Sequence, residues 1–413
     1  MLKSVFIALP MLMLCVIGAP VAAQDRLAAL VGEEGSVLLH SPGGEILASI
    51  NPDRSMVPAS LIKIPLAQVA LSALGEDFRF ETHFYRNDRG DLLIRGLGDP
   101  FLVSEEIARI TDTLSQLGIS RIQRLVMDDS AFEPQPDLPL EPGASDPYAA
   151  RNSALAVNFN TVNLAWTAQG TLVSGEAQTP LTPLARELGS RLAAGEPQRI
   201  NLGADPRAGL GQVQQLFQLF LEGSGIAVMD AGFHHEAVSD EWTLFYRHQS
   251  SRTLRDNLQD LLRYSNNFIA NQIFLTLGAR HGGYPATTAA ARAALQQELA
   301  RLYGDGFGHD PRLLLMLEGS GLAPEQRTSA NGMLHILSAF APHAELLPNE
   351  EGVLRKSGTL TGVYNFAGYI QGPDGLYPFV ILTRQRANNR DAILRILQRQ
   401  VQDQAPVPIP VSR

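Results

Sequence analysis

The apolar and polar positions along the chain change texture repeatedly. Residues 36–50, SVLLHSPGGEILASI, place two short apolar runs around a Pro-Gly-Gly turn and predict a β-hairpin. The next apolar stretch, LIKIPLAQVALSAL, has helical spacing and predicts a helix beginning near Ser60. Pro65 falls in or near its first turn, where a missing N–H is best tolerated. From about Phe78 to Phe245 the pattern breaks into short strand-like pieces such as FRFETHFY and DLLIRG, with frequent breakers including EPQPDLPLEPGASDP. This predicts an inserted, mainly β module over 78–245, with a possible nested subdomain at 162–226. TLRDNLQDLLRYSNNFIANQIFLTLGAR then returns to helical periodicity, interrupted by polar residues from Ser265 to Asn267. FAGYIQGPDGLYPFVILTR reads as strand, turn, strand around Pro373-Asp374-Gly375. A terminal helix follows, with Ile393, Ile396, Leu397 and Val401 on one face and Asn388 and Asn389 as cap candidates. The tail, residues 405–413, is too rich in proline to continue it.

The first residues follow a different rule. Lys3, an apolar run broken by Pro10 and Pro20, and small residues at Val21 and Ala23 form the pattern of a secretory signal with cleavage near Ala23. Residues 1–23 are therefore expected to be a signal peptide, and the mature protein to be exported to the periplasm. Cys15 is the sole cysteine and follows Leu14, where lipid attachment would want a small residue. Cleavage removes it, which excludes disulfides, thiol catalysis and thiolate metal sites. No second long apolar segment is present, so no stable membrane anchor is expected after cleavage. With 33 basic against 42 acidic side chains the chain is acidic, which argues against a nucleic-acid partner.

Composition then singles out two residues. Lysine occurs three times, at Lys3, Lys63 and Lys356, and every other basic residue is arginine. Ser60 and Lys63 stand at i and i+3, on one face of the expected helix start. A serine hydroxyl needs a neighbouring base, and lysine is one only when neutral. A helix N-terminus and a second ammonium both disfavour its charge, and Lys356 is the natural second ammonium. Lys356-Ser357-Gly358-Thr359 offers a point charge, hydroxyls and a glycine that lets a ligand approach a strand backbone. Arginine cannot lose its proton, so lysine at both motifs points to proton transfer or point-charge chemistry. Their chance coincidence is on the order of one in a thousand. Ser265-Asn266-Asn267 could supply a hydroxyl for proton relay and an amide for substrate, although such a triplet between helices also reads as a cap or turn.

Serine-x-x-lysine, serine-x-asparagine and lysine-serine-glycine, in that order, resemble the three motifs of the penicillin-recognising serine enzymes. With VPASLIK, LGDP at Leu97 to Pro100, DDSAF at Asp128 to Phe132, YSNNFIANQIF, EGSGL at Glu318 to Leu322 and RKSGTLTGVYNFAGYI, the chain is similar to low-molecular-mass class C penicillin-binding proteins, the D-alanyl-D-alanine carboxypeptidase/endopeptidase family. The resemblance implies an α/β (α+β) transpeptidase/β-lactamase-like core, an antiparallel sheet flanked by helices, built from residues 24–77 and 246–404 around the inserted module. It implies that Ser60 is acylated, Lys63 acts as base and Ser265 relays the proton. Asn267 would bind the substrate amide, Lys356 and Ser357 the terminal carboxylate, and Gly358 would allow close approach, while the Ser60 and Thr359 amides would form the oxyanion hole. The expected partners are peptidoglycan stem peptides and β-lactams as covalent inhibitors, with no cofactor and no metal. Asp146 and Arg151 are candidates for recognising the stem.

Two rival readings share these motifs: an enzyme, a β-lactamase or esterase of the same fold, and a protein of a different class, a slowly deacylating penicillin-binding module. The long interval between Ser60 and Ser265 leaves room for an inserted domain and favours the peptidase. His234-His235-Glu236 lacks a third ligand at metal-site spacing, and Asp128-Asp129 reads as a loop or cap.

Overall fold

The structure, a computed structural model, describes residues 18–133, 138–139, 145–193, 195, 197–203 and 205–403. Most of the expected signal peptide and the whole tail 405–413 lie outside the described residues.

Strands from both ends of the chain build a six-stranded antiparallel sheet in the order Asn349–Glu350, Val353–Leu360, Val363–Gly372, Gly375–Leu382, Ser36–His40, Ile46–Ile50. The hairpin at one edge and the strand-turn-strand at the centre are those the sequence pattern indicates. Leu38 lies opposite Val380 and Leu39 opposite Phe379, so early and late segments share one core. One face packs on Leu27 and Val31 of the helix Gly18–Val31 and on Ile393, Leu394, Leu397 and Val401 of the helix Arg390–Gln402. Asn388 Oδ1 accepts from the Arg390 amide at 3.4 Å, whereas Asn389 donates to the Leu30 carbonyl at 3.3 Å, so one cap candidate meets the helix and the other ties it to the first helix.

The other face is covered by the helices Lys63–Leu74, Asn267–Gly282 and Ala330–Phe340. The helix Lys63–Leu74 buries residues on every side, including Leu66, Ala67, Val69 and Ala70, and serves as the hub of this layer. A helix apolar all round belongs inside a large core.

The segment between the two parts forms a second sheet, in the order Thr243–Thr253, Arg79–Arg86, Leu92–Gly96, Arg121–Asp128, Ala227–His235. Two of its pairings are parallel, Leu92–Gly96 with Arg121–Asp128 and Arg121–Asp128 with Ala227–His235. To the strands expected here the structure adds the helices Ser104–Gln116, Pro183–Ser190 and Pro206–Gly223. The parallel pairs are the reason: a parallel connection needs a crossover, which a helix supplies. The helix Pro206–Gly223 buries Leu210, Val213, Phe217 and Leu221 against Ile94, Leu125 and Met127 of this sheet. A separate three-stranded sheet, Leu172–Ser174, Thr161–Trp166 and Gln198–Asn201, encloses its own cluster of Val162, Leu164, Ala185, Ile200 and Leu202. Packing thus joins residues 206–226 to the larger sheet and leaves the small unit at 161–202.

Candidate active site

Three segments far apart in sequence meet between the six-stranded sheet and the buried helix. Residues Ala59–Ile62 form a 3-10 turn, and the α-helix proper begins at Lys63, later than the start expected near Ser60. Pro65 still sits within the first α-turn. Ala59 has a left-handed φ of 49°, which bends the chain sharply before Ser60. Two glycines let other segments close onto that bend. A Cβ at Gly358 would lie 2.7 Å from the Pro58 carbonyl oxygen, and one at Gly321 would lie 2.3 Å from that of Ala59. Asn365, fully buried, donates to the carbonyls of Val57 and Pro58 at 2.9 and 3.1 Å and accepts from the Thr383 amide at 3.0 Å, pinning the turn to the sheet.

Within this frame Lys63 Nζ lies 2.9 Å from Ser60 Oγ and 2.9 Å from Asn267 Oδ1, and it donates to the Ser320 carbonyl. The orientation of the Asn267 amide follows from its other end, where Nδ2 donates to the Tyr148 carbonyl at 3.2 Å. Lys63 has no exposed surface. Burial first, and Lys356 second, push its pKa well below the usual ammonium range, while Glu318 opposes them. A neutral amine has two N–H groups and one lone pair. With Asn267 Oδ1 and the Ser320 carbonyl as obligate acceptors, the lone pair is left for the Ser60 hydroxyl.

The interruption at Ser265 to Asn267 is a helix junction. A capping box of Thr253 and Asp256 starts the helix Leu254–Tyr264, and Ser265 ends it in a left-handed conformation, φ 56°. Asn266 caps the next helix by accepting from the Ile269 amide at 3.1 Å, so Asn267 begins it. The cap reading and the chemical reading both apply, to neighbouring residues. Ser265 Oγ accepts from Lys356 Nζ at 2.9 Å, and the same ammonium donates to the Ser357 carbonyl at 2.9 Å. Burial, then Arg390, lower the Lys356 pKa to about 8. The structure therefore brings Ser60, Lys63, Ser265, Asn267 and Lys356 into one hydrogen-bonded cluster, with Ser357, Gly358 and Thr359 on the adjoining strand.

Sequence reasoning assigned no role to Glu318, Asn365 or Arg390. The Glu318 carboxylate, fully buried, accepts from the backbone amides of Ser320, Gly321 and Leu322 at 2.6, 2.8 and 3.0 Å and from Gln326 Nε2 at 2.7 Å. It folds EGSGL into the turn that presents the Ser320 carbonyl to Lys63. The signal was a glutamate followed by Gly-Ser-Gly, a carboxylate within reach of several free amides.

Asp146 and Arg151 do not join the cluster. The Asp146 carbonyl accepts from Asn201 at 2.8 Å, and Arg151 lines a cleft of about 350 Å³ with Asp129, Asn152, Arg207 and His235. Asp128 is buried at the end of the strand Arg121–Asp128 and accepts from the Ser130 and Val238 amides at 2.8 and 2.9 Å, capping the turn that follows. His234 pairs with Asp230 and His235 with Asp129, and no group of three metal-ligating residues occurs among the described residues. No helix among them is long and apolar enough to cross a membrane.

The sequence pattern of the D-Ala-D-Ala carboxypeptidase 3 (S13) family matches residues 21–186 and 194–350. Among curated relatives, a D-alanyl-D-alanine carboxypeptidase of Actinomadura sp. (strain R39) is 24% identical over 92% of this chain and 86% of its own. The D-alanyl-D-alanine carboxypeptidase DacB of Haemophilus influenzae is 24% identical over 80% of this chain and 81% of its own. Among solved structures, penicillin binding protein 4 (dacB) of Haemophilus influenzae superposes with a TM-score of 0.73 at 20% identity, covering 91% of this chain and 98% of that one; it has also been solved in complex with a β-lactam.

Proposed function

The chain belongs to the D-Ala-D-Ala carboxypeptidase 3 (S13) family and is a serine-type D-Ala-D-Ala peptidase, and from that premise we propose that Ser60 is its nucleophile and Lys63 the base that activates it. The observation that carries this reading is the triple contact of Lys63 Nζ with Ser60 Oγ, Asn267 Oδ1 and the Ser320 carbonyl, which leaves a neutral amine one lone pair and one proton to take.

In the first step Ser60 Oγ attacks the carbonyl carbon of the penultimate D-Ala and its proton passes to Lys63 Nζ. The oxyanion is held by the backbone amides of Ser60 and Thr359, each donor worth roughly 3 to 4 kcal/mol in such sites. The C–N bond then breaks as Lys63 returns its proton through Ser265, held by the Lys356 ammonium, to the leaving amine, which leaves Lys63 neutral and Ser265 a hydroxyl. Asn267 aligns the substrate amide, and Ser357 and Thr359 lie along the strand that Gly358 keeps close to Ser60. Water attacks the acyl-enzyme with Lys63 again as base and releases the shortened stem.

The leaving group is D-Ala in carboxypeptidase action and the amine of a D-Ala-meso-diaminopimelate cross-link in endopeptidase action; both fit the same chemistry. β-Lactams enter by the same attack and remain on Ser60, a reading supported by the β-lactam complex of the Haemophilus influenzae protein. We place the enzyme in the periplasm after cleavage near Ala23, and read residues 78–245 as a module inserted between catalytic parts 24–77 and 246–404. The apolar cluster of Phe84, Ile94, Leu125, Met127 and Phe217 under the five-stranded sheet supports that division.

Fluorescent penicillin tests the assignment. The wild type becomes labelled, Ser60→Ala does not, and Lys63→Arg loses at least about 100-fold in labelling rate, because arginine keeps its proton. Undiminished labelling of Ser60→Ala would remove Ser60 as nucleophile. Digestion of muropeptides, read by mass spectrometry, separates the activities: loss of one alanine marks carboxypeptidase and splitting of dimers marks endopeptidase. Intact muropeptides beside rapid β-lactam hydrolysis would favour the β-lactamase reading.

A further inference from the structure

Ser265 and Lys356, the two residues that handle the leaving amine, open onto a groove. Tyr264 immediately precedes Ser265 at the end of the helix Leu254–Tyr264. Leu354 lies two residues before Lys356 on the same face of the strand Val353–Leu360, about 7 Å back along it. Both line one groove of about 640 Å³, in which Leu346, Leu347 and Leu354, all buried, form an apolar floor. A space of this size accepts ligands much larger than a single alanine.

The rim has its own chemical character. Tyr264 is 66% exposed, more than any other large apolar side chain among the described residues. Arg263 lies over its ring, with the guanidinium carbon 5.4 Å from the ring centre, and forms no ion pair among the described residues. The two carboxylates that line the same groove are already neutralised, Glu345 by Arg255 at 2.6 Å and Glu350 by Arg355. One uncompensated cation therefore stands beside an exposed aromatic ring and above an apolar floor. That combination suits a ligand with methylene groups and a free carboxylate.

Reach decides which substrate meets it. In carboxypeptidase action the leaving group is one D-Ala, which ends beside Ser265 and Lys356. In endopeptidase action water breaks the corresponding amide of a cross-link, leaving a carboxylate on one stem and a free amine on the diaminopimelate of the other, and that second stem runs on past Ser265. Diaminopimelate brings a chain of methylenes, and a stem ends in a carboxylate. We propose that the groove lined by Arg263, Tyr264 and Leu354 receives the leaving stem of a cross-linked dimer, a role that rests on the reading of Ser60 and Ser265 given above. Arg263 and Tyr264 are then specificity-determining residues for endopeptidase action.

The test sets a cross-linked muropeptide dimer against a pentapeptide monomer on wild type, Arg263→Gln and Tyr264→Ala, with products followed by mass spectrometry. Arg263→Gln is expected to lower kcat/KM for splitting the dimer by about 10-fold, chiefly through KM, and to lower the ratio of dimer splitting to D-Ala release by a similar factor. Tyr264→Ala is expected to do the same, and Arg263→Lys to restore part of the ratio by keeping the cation. A preserved ratio in Arg263→Gln, an equal fall in both of its activities, or a wild type that releases D-Ala and splits no dimers overturns the proposal. If Tyr264→Ala disturbs the adjacent Ser265, Arg263→Gln decides alone: a fallen ratio supports the groove and a preserved one overturns it. Penicillin opens its ring on Ser60 and releases no second stem, so its labelling separates this role from the parent reading. Labelling of Ser60→Ala sinks the site assignment itself, whereas Ser60-dependent labelling with a preserved ratio in Arg263→Gln sinks the groove alone.

Discussion

Lys63 and Lys356 carry the same side chain but are held at different points of their titration, because their burial and neighbours differ. Lys63 is enclosed and faces Lys356, so both effects favour the neutral amine that a base requires. Lys356 is lowered to about 8, chiefly by burial and then by Arg390, so around neutral pH it keeps its proton and can hold Ser265. The pH dependence follows by sign. As pH rises through the Lys63 pKa, the base is freed and acylation speeds up; as pH rises through about 8, the Lys356 ammonium is lost and acylation slows. We expect a bell-shaped kcat/KM profile with its descending limb near 8, measured by penicillin acylation between pH 5 and 10. A plateau that continues to pH 10 would take the Lys356 charge out of the mechanism. At this scale the sequence was most legible, because two lysines in an arginine-rich chain stand out. The larger share of the Lys63 shift comes from burial, which sequence spacing does not report.

Elements position these residues, and their limits matter more than their interiors. The helix Leu254–Tyr264 is amphipathic and was visible from its pattern, yet its use lies at its end, where Ser265 turns left-handed and Asn266 starts the next helix. The EGSGL turn has no periodicity and so offered no element to predict. Its shape comes from Glu318, which collects backbone amides that would otherwise be unsatisfied in a dry interior. Gly321 shows how tightly this turn meets the bend before Ser60. Its φ is 93°, and a Cβ there would collide with the Ala59 backbone at 2.3 Å. Gly321→Ala is expected to destabilise the protein by about 1 to 3 kcal/mol and to slow penicillin acylation more than about 10-fold, read by thermal denaturation and stopped-flow labelling. An acylation rate within a factor of two of wild type would show that the turn does not govern the Ser60 bend.

Across the whole molecule, the five-stranded sheet buries an apolar cluster of its own, while Phe80, Phe101, Phe132 and Ala154 join the cluster under the six-stranded sheet and Phe159 packs edge-on against Phe268. Asn152 donates to the Phe268 carbonyl and to Gln272 at 2.9 and 3.0 Å, and the Tyr148 carbonyl accepts from Asn267, so the segment 148–152 is tied to the helix Asn267–Gly282. The small unit at 161–202 has its own core. Leu164→Ala in that core should cost about 2 to 4 kcal/mol locally while Ser60 keeps its labelling by penicillin, as hydrogen exchange beside a labelling assay would report. Loss of labelling together with protection would mean that the small unit and the site unfold as one. The strands of the segment 78–245 were readable from its change of texture. Its helices were not, because glycine and proline breakers obscured the spacing of Leu210, Val213, Phe217 and Leu221.

The amino-acid sequence by itself singled out Ser60, Lys63, Ser265, Asn267 and Lys356 as the candidates for the chemistry we propose, and the hairpins and helices that carry them, because local spacing and side-chain type are properties of short segments. The tertiary structure alone decided how those residues are charged and what they face. Lys63 is pushed toward the neutral amine because distant segments bury it; the Ser320 carbonyl and Asn267 accept from it because a buried glutamate and a helix start place them there; and Arg390 reaches Thr359 because the last helix packs on the back of the sheet. Burial and electrostatic proximity are sums over residues far apart in the chain, and folding is what brings them within a few ångströms.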